Sequence, residues 1–288
     1  MTITNKYNLP QGFVKAADVK RHCAEGTISA TTLLHGIKET ILTDRHWGEL
    51  EQDVSDNVWA IFGTAVHALM EHEGETDFTE EQLSVQYPGI KVTGRIDNYD
   101  MENGIITDYK TASIWKVKFK DFADWKQQGM IYAWLLRKNG FPVKKCRFIA
   151  LLKDHSKTKG KFDADYPKSP VYIFEFNVTE ADIAETERFV MKKLVEYRNY
   201  KELADDEIPE CTPKERWQKP TKYAAMKKGR KSAVKLFDEW NKCDEFCEEN
   251  GYTLEERKAE SMKCKNYCIC KEFCNYYKSL TAENGEEN

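Results

Sequence analysis

Two neighbouring runs decide the reading of this chain: Val92-Thr-Gly-Arg-Ile-Asp97-Asn-Tyr99 and Ile105-Ile-Thr-Asp108-Tyr-Lys110-Thr111. Both are rich in β-branched and aromatic residues, and Asn103-Gly104 between them is a turn signal. The pair therefore predicts an antiparallel hairpin with one strand over Lys91–Tyr99 and the next over Gly104–Lys110. Residues two apart on a strand point the same way, so Asp108 and Lys110 share one face and Tyr109 turns to the opposite, packed face. The hairpin can bring Asp97 beside Asp108. Two carboxylates that close repel each other unless a positive charge lies between them. A hard divalent cation such as Mg²⁺ takes oxygen ligands and waters, which the two carboxylates offer. Lys110 would then face an attacking water or the charge that develops on a phosphate. Phosphodiester hydrolysis needs this equipment: a metal to polarise a phosphoryl oxygen and a fixed cation for the transition state. Taken alone, Asp-Tyr-Lys is equally a surface hairpin with a weak ion pair.

Outward from the hairpin, the pattern predicts helices over 55–73 and 121–139, the second stopped by Asn139-Gly140 and Pro142. Ser29 reads as the cap of a short early helix, and Thr179 as the cap of a long one over 180–203. Further strands are expected over Leu83–Tyr87, Cys146–Leu152 and Val171–Val178, with a mobile lysine-rich loop, 153–169, between the last two. Helices alternating with strands predict an α/β fold, a central mixed β-sheet flanked by helices. Residues 1–27 have weak periodicity and read as a leader; 28–208 form the core, 209–280 a basic and cysteine-rich extension, and 281–288 a disordered tail.

Composition limits the alternatives. In 288 residues, 41% apolar and 12% aromatic content is ample for a packed core. A net charge of −4 gives no bulk attraction for a polyanion, so a nucleic-acid surface has to be a local basic patch. There is no apolar run of membrane-spanning length and no secretory layout at the N-terminus, which predicts a cytoplasmic protein without a membrane partner. Such a patch stands at 214–235, where nine Lys and Arg are interleaved with Trp217 and Tyr223. Lys227, Lys228, Arg230 and Lys231, with those two rings, are the candidate DNA contacts; the alternative is a solvated helix balanced by the acidic run that follows.

Of nine cysteines, six lie within 243–274, a clustering that in a reducing compartment points to metal or iron–sulfur ligation. Cys264, Cys268, Cys270 and Cys274 are spaced closely enough for a short loop to wrap one centre. Cys243 and Cys247, at i and i+4, are equally a helix face or half of a zinc site.

The segment resembles the PD-(D/E)XK nucleases, in particular the RecB-like branch that includes phage exonucleases and the CRISPR-adaptation nucleases. Four motifs carry the resemblance, in order over roughly residues 28–180. They are His67 in GTAVHALME, Gly94-Arg-Ile-Asp97, Asp108-Tyr-Lys110 and Gln128-Gly-Met-Ile-Tyr132. The resemblance implies a restriction-endonuclease-like core, a metal held by His67, Asp97, Asp108 and Tyr109, and catalysis by Asp97, Asp108, Lys110, Gln128 and Tyr132. Glu71, one turn past His67, is a further possible ligand or a solvated glutamate, and Gln128 and Tyr132 either orient the nucleic-acid backbone or Lys110, or belong to the core.

By the same resemblance Cys264, Cys268 and Cys274 correspond to the C-terminal ligands of a 4Fe-4S cluster, with Zn²⁺ as the alternative. Cys23 departs from the family's position for the distant ligand; Cys211 is preferred as the fourth, with Cys270, Cys243 and Cys247 as rivals. Similarity to phage-type nucleases rests on that late cysteine followed by Trp217 and Tyr223-Ala-Ala-Met-Lys-Lys-Gly229. The implied function is a Mg²⁺- or Mn²⁺-dependent DNA nuclease, an exonuclease in preference to a sequence-independent endonuclease. It would serve replication, recombination or repair in a phage or a bacterial host cell, beside a replication or recombination protein. A non-catalytic DNA-binding or assembly module on the same fold, and a cysteine-rich zinc scaffold, are the competing readings. Intact Asp97, Asp108 and Lys110 weigh against the first, and the four ordered motifs against the second.

Overall fold

The structure is a computed structural model that describes residues 1–18, 26–72, 78–79 and 82–285. Cys23 lies outside the described residues, as does the side chain of Glu71. The chain divides into two compact units, one of residues 1–41 and 47–202, the other of 42–46 and 203–288. No helix among the described residues is long and apolar enough to cross a membrane.

The first unit opens with β1 (Thr2–Thr4), α1 (Gln11–Ala17), β2 (Thr27–Ser29), α2 (Ile37–Arg45, continuing into the second unit) and β3 (Glu51–Asp53). The expected leader is thus structured where it is described. β1 runs parallel to β3, and Asp53 fastens it by accepting from the Thr4 hydroxyl at 2.9 Å and the Lys6 amide at 2.8 Å. Those bonds hold the Asp53 carboxyl well below its usual range. Ser29 does act as a cap, its hydroxyl accepting from the Thr32 amide at 3.0 Å, but the turn it starts is 3-10 and ends at Leu34.

Then come α3 (Val58–His72), β4 (Phe78–Thr79), β5 (Gln82–Tyr87), β6 (Ile90–Arg95), β7 (Asn98–Asp100) and β8 (Ile105–Ala112). The single strand expected over 91–99 is two strands. β6 joins a three-stranded sheet in the order β2-β6-β5, while β7 pairs with β8 in a different sheet. Ile96 and Asp97 form the break. The hairpin itself is as expected: β7 and β8 are antiparallel around Asn103-Gly104, with Gly104 at φ 68, a conformation glycine adopts without steric cost.

The unit closes with α4 (Ile114–Lys118), α5 (Ala123–Lys138), β9 (Lys145–Leu152), α6 (Lys157–Phe162), β10 (Val171–Asn177) and α7 (Glu180–Tyr200). The larger sheet runs β10-β9-β8-β7-β4, with β8 and β9 parallel and the other pairs antiparallel. This is a mixed α/β architecture, with mixed sheets flanked by helices. The expected loop 153–169 carries α6 and is tied down, the His155 ring meeting the Pro167 carbonyl at 2.8 Å and the Ser156 amide donating to the Tyr166 hydroxyl at 2.8 Å. Thr179 caps α7 in a reciprocal box with Asp182.

α5 is the central packing element. Its residues from Met130 to Leu136 are buried, and Gly94 of β6 lies against it so closely that a Cβ there would drive into Leu135 Cδ1. The glycine of the Gly-x-x-Asp motif therefore has a packing reason.

In the second unit, Arg45 and His46 pair with Asp205, and the His46 ring stacks on Phe273 at 3.9 Å. β11 (Gln218–Lys219) and β12 (Lys222–Met226) are followed by β13 (Lys235–Phe237), α8 (Trp240–Asn250) and β14 (Thr253–Arg257). β15 (Glu260–Ser261), α9 (Met262–Asn266) and α10 (Asn275–Gly285) complete it. The basic segment is accordingly strand and turn, not helix: β13-β12-β14 form an antiparallel sheet. α8 packs its Cys243 and Cys247 on Ala225 of that sheet. The tail expected to be disordered is helical to Gly285, and 286–288 lie outside the described residues.

Candidate active site

All six residues carrying the four motifs lie in the first unit. β8 is flanked on both sides, by β7 and β9, so a polar residue at its middle is buried unless it faces a site. Asp108 sits there, 2% exposed, opposite Phe148 of β9. Asp97 lies one step beyond the Asn98–Thr107 pair, the register position across from Asp108, although the ladder has already stopped. A side-chain bond replaces the missing rung: Asp97 Oδ2 accepts the Tyr109 backbone N–H at 2.8 Å. Its other oxygen, Oδ1, lies 3.0 Å from His67 Nδ1, so α3 contributes its imidazole through Asp97.

Lys110 shares the face of Asp108, as the strand period requires, and its Nζ lies 2.7 Å from Asp108 Oδ2. The ammonium also lies 5.7 Å from the Phe148 ring centroid. Judged by angle as well as distance, that buried Oδ2 has no hydrogen-bond partner, although it touches a cation. The contact is therefore an ion pair that leaves directed acceptor capacity unused, and a buried unsatisfied carboxylate oxygen is costly.

The charges respond to one another. Burial is the largest influence on Asp108 and pushes its carboxyl up to about 6; the nearby Asp97 carboxylate raises it further, while the Lys110 ammonium opposes both. Hydrogen bonding to Asp97 raises the His67 imidazole, against the effect of its own burial.

Gln128 and Tyr132 occupy successive turns of α5, both buried, and the Gln128 amide donates to the Tyr132 hydroxyl at 2.9 Å. Tyr132 belongs to the hydrophobic core, yet Asp108 and Asp97 both raise its phenol, burial being the larger cause. The pair forms a stiff wall near the two carboxylates. The Tyr109 side chain is half-buried, and burial raises its phenol as well.

Two carboxylates, an imidazole and an orphaned buried oxygen are a donor set suited to a hard divalent cation. As they stand the donors are paired rather than gathered: among the described residues no three His, Cys, Asp or Glu side chains form a ready metal-binding group.

The tail cysteines are placed in the second unit. Cys268 Sγ lies 3.6 Å from Cys270 Sγ, and Cys270 is buried whereas Cys211, Cys264, Cys268 and Cys274 are half-buried. Cys243 and Cys247 belong to the small core, where burial and the neighbouring thiol push Cys243 up to about 11. Lys227, Lys228, Arg230 and Lys231 are exposed at the tip of the β12–β13 turn. Trp217 is also exposed, its ring 5.3 Å from that of Tyr267, while Tyr223 packs on the Cys243–Cys247 core.

The motif pattern gives no reason to single out Trp59, Trp115 or Phe119, since aromatic residues at helical spacing read as core; the structure leaves all three exposed.

No family model matches the chain, and no curated protein matches its sequence. Among solved structures, the chain is similar to SSO0001 at 18% identity and a TM-score of 0.43, covering 64% of this chain and 82% of that one. It is also similar to an alkaline exonuclease, LHK-Exo, from Laribacter hongkongensis, at 14% identity and a TM-score of 0.41, over 67% of this chain and 95% of that one. A phage related exonuclease from Haemophilus somnus 129PT aligns at 14% identity and a TM-score of 0.32, over 57% of this chain and 73% of that one.

Proposed function

We propose that this chain is a Mg²⁺- or Mn²⁺-dependent DNA nuclease that hydrolyses phosphodiester bonds, acting as an exonuclease. The observation that carries the reading is the convergence of Asp97, Asp108 and Lys110 on one end of the β7–β8 pair, with His67 joined to Asp97 from α3. Asp97 and Asp108, with His67 and the strand at Tyr109 beside them, are the groups that would hold the cation. When bound, it would polarise a phosphoryl oxygen and lower the pKa of a water. Asp97 is pre-aimed, because the Tyr109 amide and the His67 ring fix both of its oxygens. Lys110 supplies a fixed positive charge where negative charge develops on the phosphate, in a partly desolvated place that strengthens it. Gln128 and Tyr132, bonded to each other, keep the adjoining wall rigid.

Lys110→Ala tests this directly. The expected outcome is loss of metal-dependent cleavage of end-labelled linear DNA by about a hundredfold or more, the scale of removing one transition-state donor, with DNA binding retained. Cleavage at the parental rate would remove the catalytic assignment. Digestion of linear but not circular DNA is the expected mark of an exonuclease.

Under the same reading the tail cysteines hold an iron–sulfur cluster, with Zn²⁺ as the alternative, which would tie the C-terminal segment to residues near Cys211. The Cys268–Cys270 approach adds Cys270 to the ligand candidates beside Cys211, Cys264 and Cys274. Anaerobically purified protein should contain iron and acid-labile sulfide, and Cys264→Ser with Cys268→Ser should remove both. Zinc without sulfide would select the alternative, and absence of any metal would overturn a centre altogether.

A further inference from the structure

We propose that the end of β8 just beyond Lys110 carries a stacking platform for an unpaired strand of nucleic acid, built from Trp115 and Phe119 with Trp59 beside them. This deepens the nuclease reading and rests on it for the choice of polymer.

Large aromatic rings left in water are unfavourable for folding, so their grouping beside a site calls for a use. Trp59, Trp115 and Phe119 are 59%, 53% and 73% exposed. Trp115 and Phe119, one helical turn apart, stack on each other with centroids 5.6 Å apart and planes at 22°. They line an open groove of about 370 Å³ whose lining also includes Thr111, Lys116 and Asp121. Thr111 directly follows Lys110, so the groove begins one residue from the ammonium of the candidate site.

Trp59 reaches the same strand end from α3. Gly63 of that helix passes so near that a Cβ on it would sit 3.6 Å from Thr111 Oγ1. Trp59 lies one turn before Gly63 and His67 one turn after, so the helix carries a ring and the site imidazole along the same strand. Lys153 completes the rim. Its ammonium lies 3.9 Å from the Trp59 ring centroid, and its backbone N–H donates to the Ala112 carbonyl at 3.0 Å.

The charge pattern selects bases over phosphates. Lys116 is held by Asp124 at 2.6 Å and Asp121 at 3.7 Å, and Lys118 by Asp163 at 3.0 Å. The groove is therefore close to neutral and gains little from a polyanion as such. A duplex hides its base faces; an unpaired strand presents a π-face at every nucleotide, which aromatic side chains take up without regard to sequence.

The test is a fluorescence-polarisation titration of the full chain with an oligothymidylate of about 12 nucleotides, within the usual range of single-strand sites, and with a blunt duplex of equal length. Both are done in EDTA, so binding is read without cleavage. Replacing Trp115 and Phe119 together by Ala should weaken single-strand binding by about tenfold or more, the effect of losing a stacked base, and leave duplex binding within about twofold. Trp59→Ala should weaken it in the same sense, and Trp115→Tyr should restore most of the loss. Unchanged single-strand binding in the double variant would overturn the platform, and so would equal losses for strand and duplex. The two proposals fail separately. A chain that binds as described but never cleaves when given Mg²⁺ or Mn²⁺ loses the nuclease reading and keeps the platform. A chain that cleaves while its aromatic variants bind normally loses the platform alone.

Discussion

Asp108 carries its charge where water cannot reach it, beside one ammonium and across from a second carboxylate. That arrangement makes the metal-free fold sensitive to pH in a definite direction. The carboxyl is raised from the ordinary 3.8 to about 6, so the folded state binds its proton more tightly than the unfolded chain does. Stability from this group is then greatest below the unfolded value and is lost as pH rises through the folded one, a decline on the order of 1–3 kcal/mol between roughly pH 4 and 6. The raised imidazole of His67 acts in the same sense, losing its contribution as pH rises past its folded value. Asp108→Asn separates the two. In EDTA the variant should lose most of the decline over that interval in urea titrations, and should be more stable than the parent at neutral pH. A parent and variant with parallel pH profiles would mean that the Asp108 charge is not buried in solution. Added Mg²⁺ should narrow the difference in the parent's disfavour at neutral pH, because a bound cation relieves the repulsion with Asp97.

The decisive elements are β6, β7 and α5. β6 and β7 were legible as extended chain from their residues, but their division at Ile96-Asp97 was not, because hydrophobic alternation runs through the break without a Gly or Pro to mark it. The break matters, since it frees the Asp97 side chain to take the Tyr109 amide that a continuous ladder would have paired otherwise. Gly94 fixes how near β6 approaches α5. A methyl group there would meet Leu135 Cδ1 and lie 3.4 Å from the Tyr132 ring. Gly94→Ala should therefore destabilise the protein by about 1–3 kcal/mol, the usual cost of overpacking a filled interior, as measured by urea denaturation. Because the displaced helix carries Gln128 and Tyr132, cleavage should fall by more than the unfolded fraction explains. A variant as stable as the parent would mean that Leu135 has another rotamer to adopt.

At the scale of the molecule, an acidic chain that is to meet DNA has to concentrate its cations, and one place it does so is the β12–β13 turn. If Lys227, Lys228, Arg230 and Lys231 neutralise phosphates, replacing all four by Glu should weaken duplex binding and lower the slope of log affinity against log salt by about 3–4. An unaltered slope would return the turn to a solvated surface. The sequence read this segment as cation-rich correctly and its conformation wrongly as helix, because Lys, Ala and Met favour helix locally while pairing with β14 and burial of Ala224 and Ala225 override that preference. The expected leader went astray for a related reason. β1 is three residues long and gains its order from Asp53, nearly fifty positions away, which no local pattern can announce.

The sequence by itself determined the order of helices and strands around the hairpin, the shared face of Asp108 and Lys110, and the caps at Ser29 and Thr179. Each of these follows from a period of two, a turn dipeptide or a hydroxyl at a helix start, all of which act within a few residues. Only the tertiary structure decided that Asp97 would sit in a gap between two sheets, that His67 would reach it from α3, and that Trp59, Trp115 and Phe119 would be left in water. Those outcomes depend on which elements pack together, and packing joins residues that the chain keeps far apart.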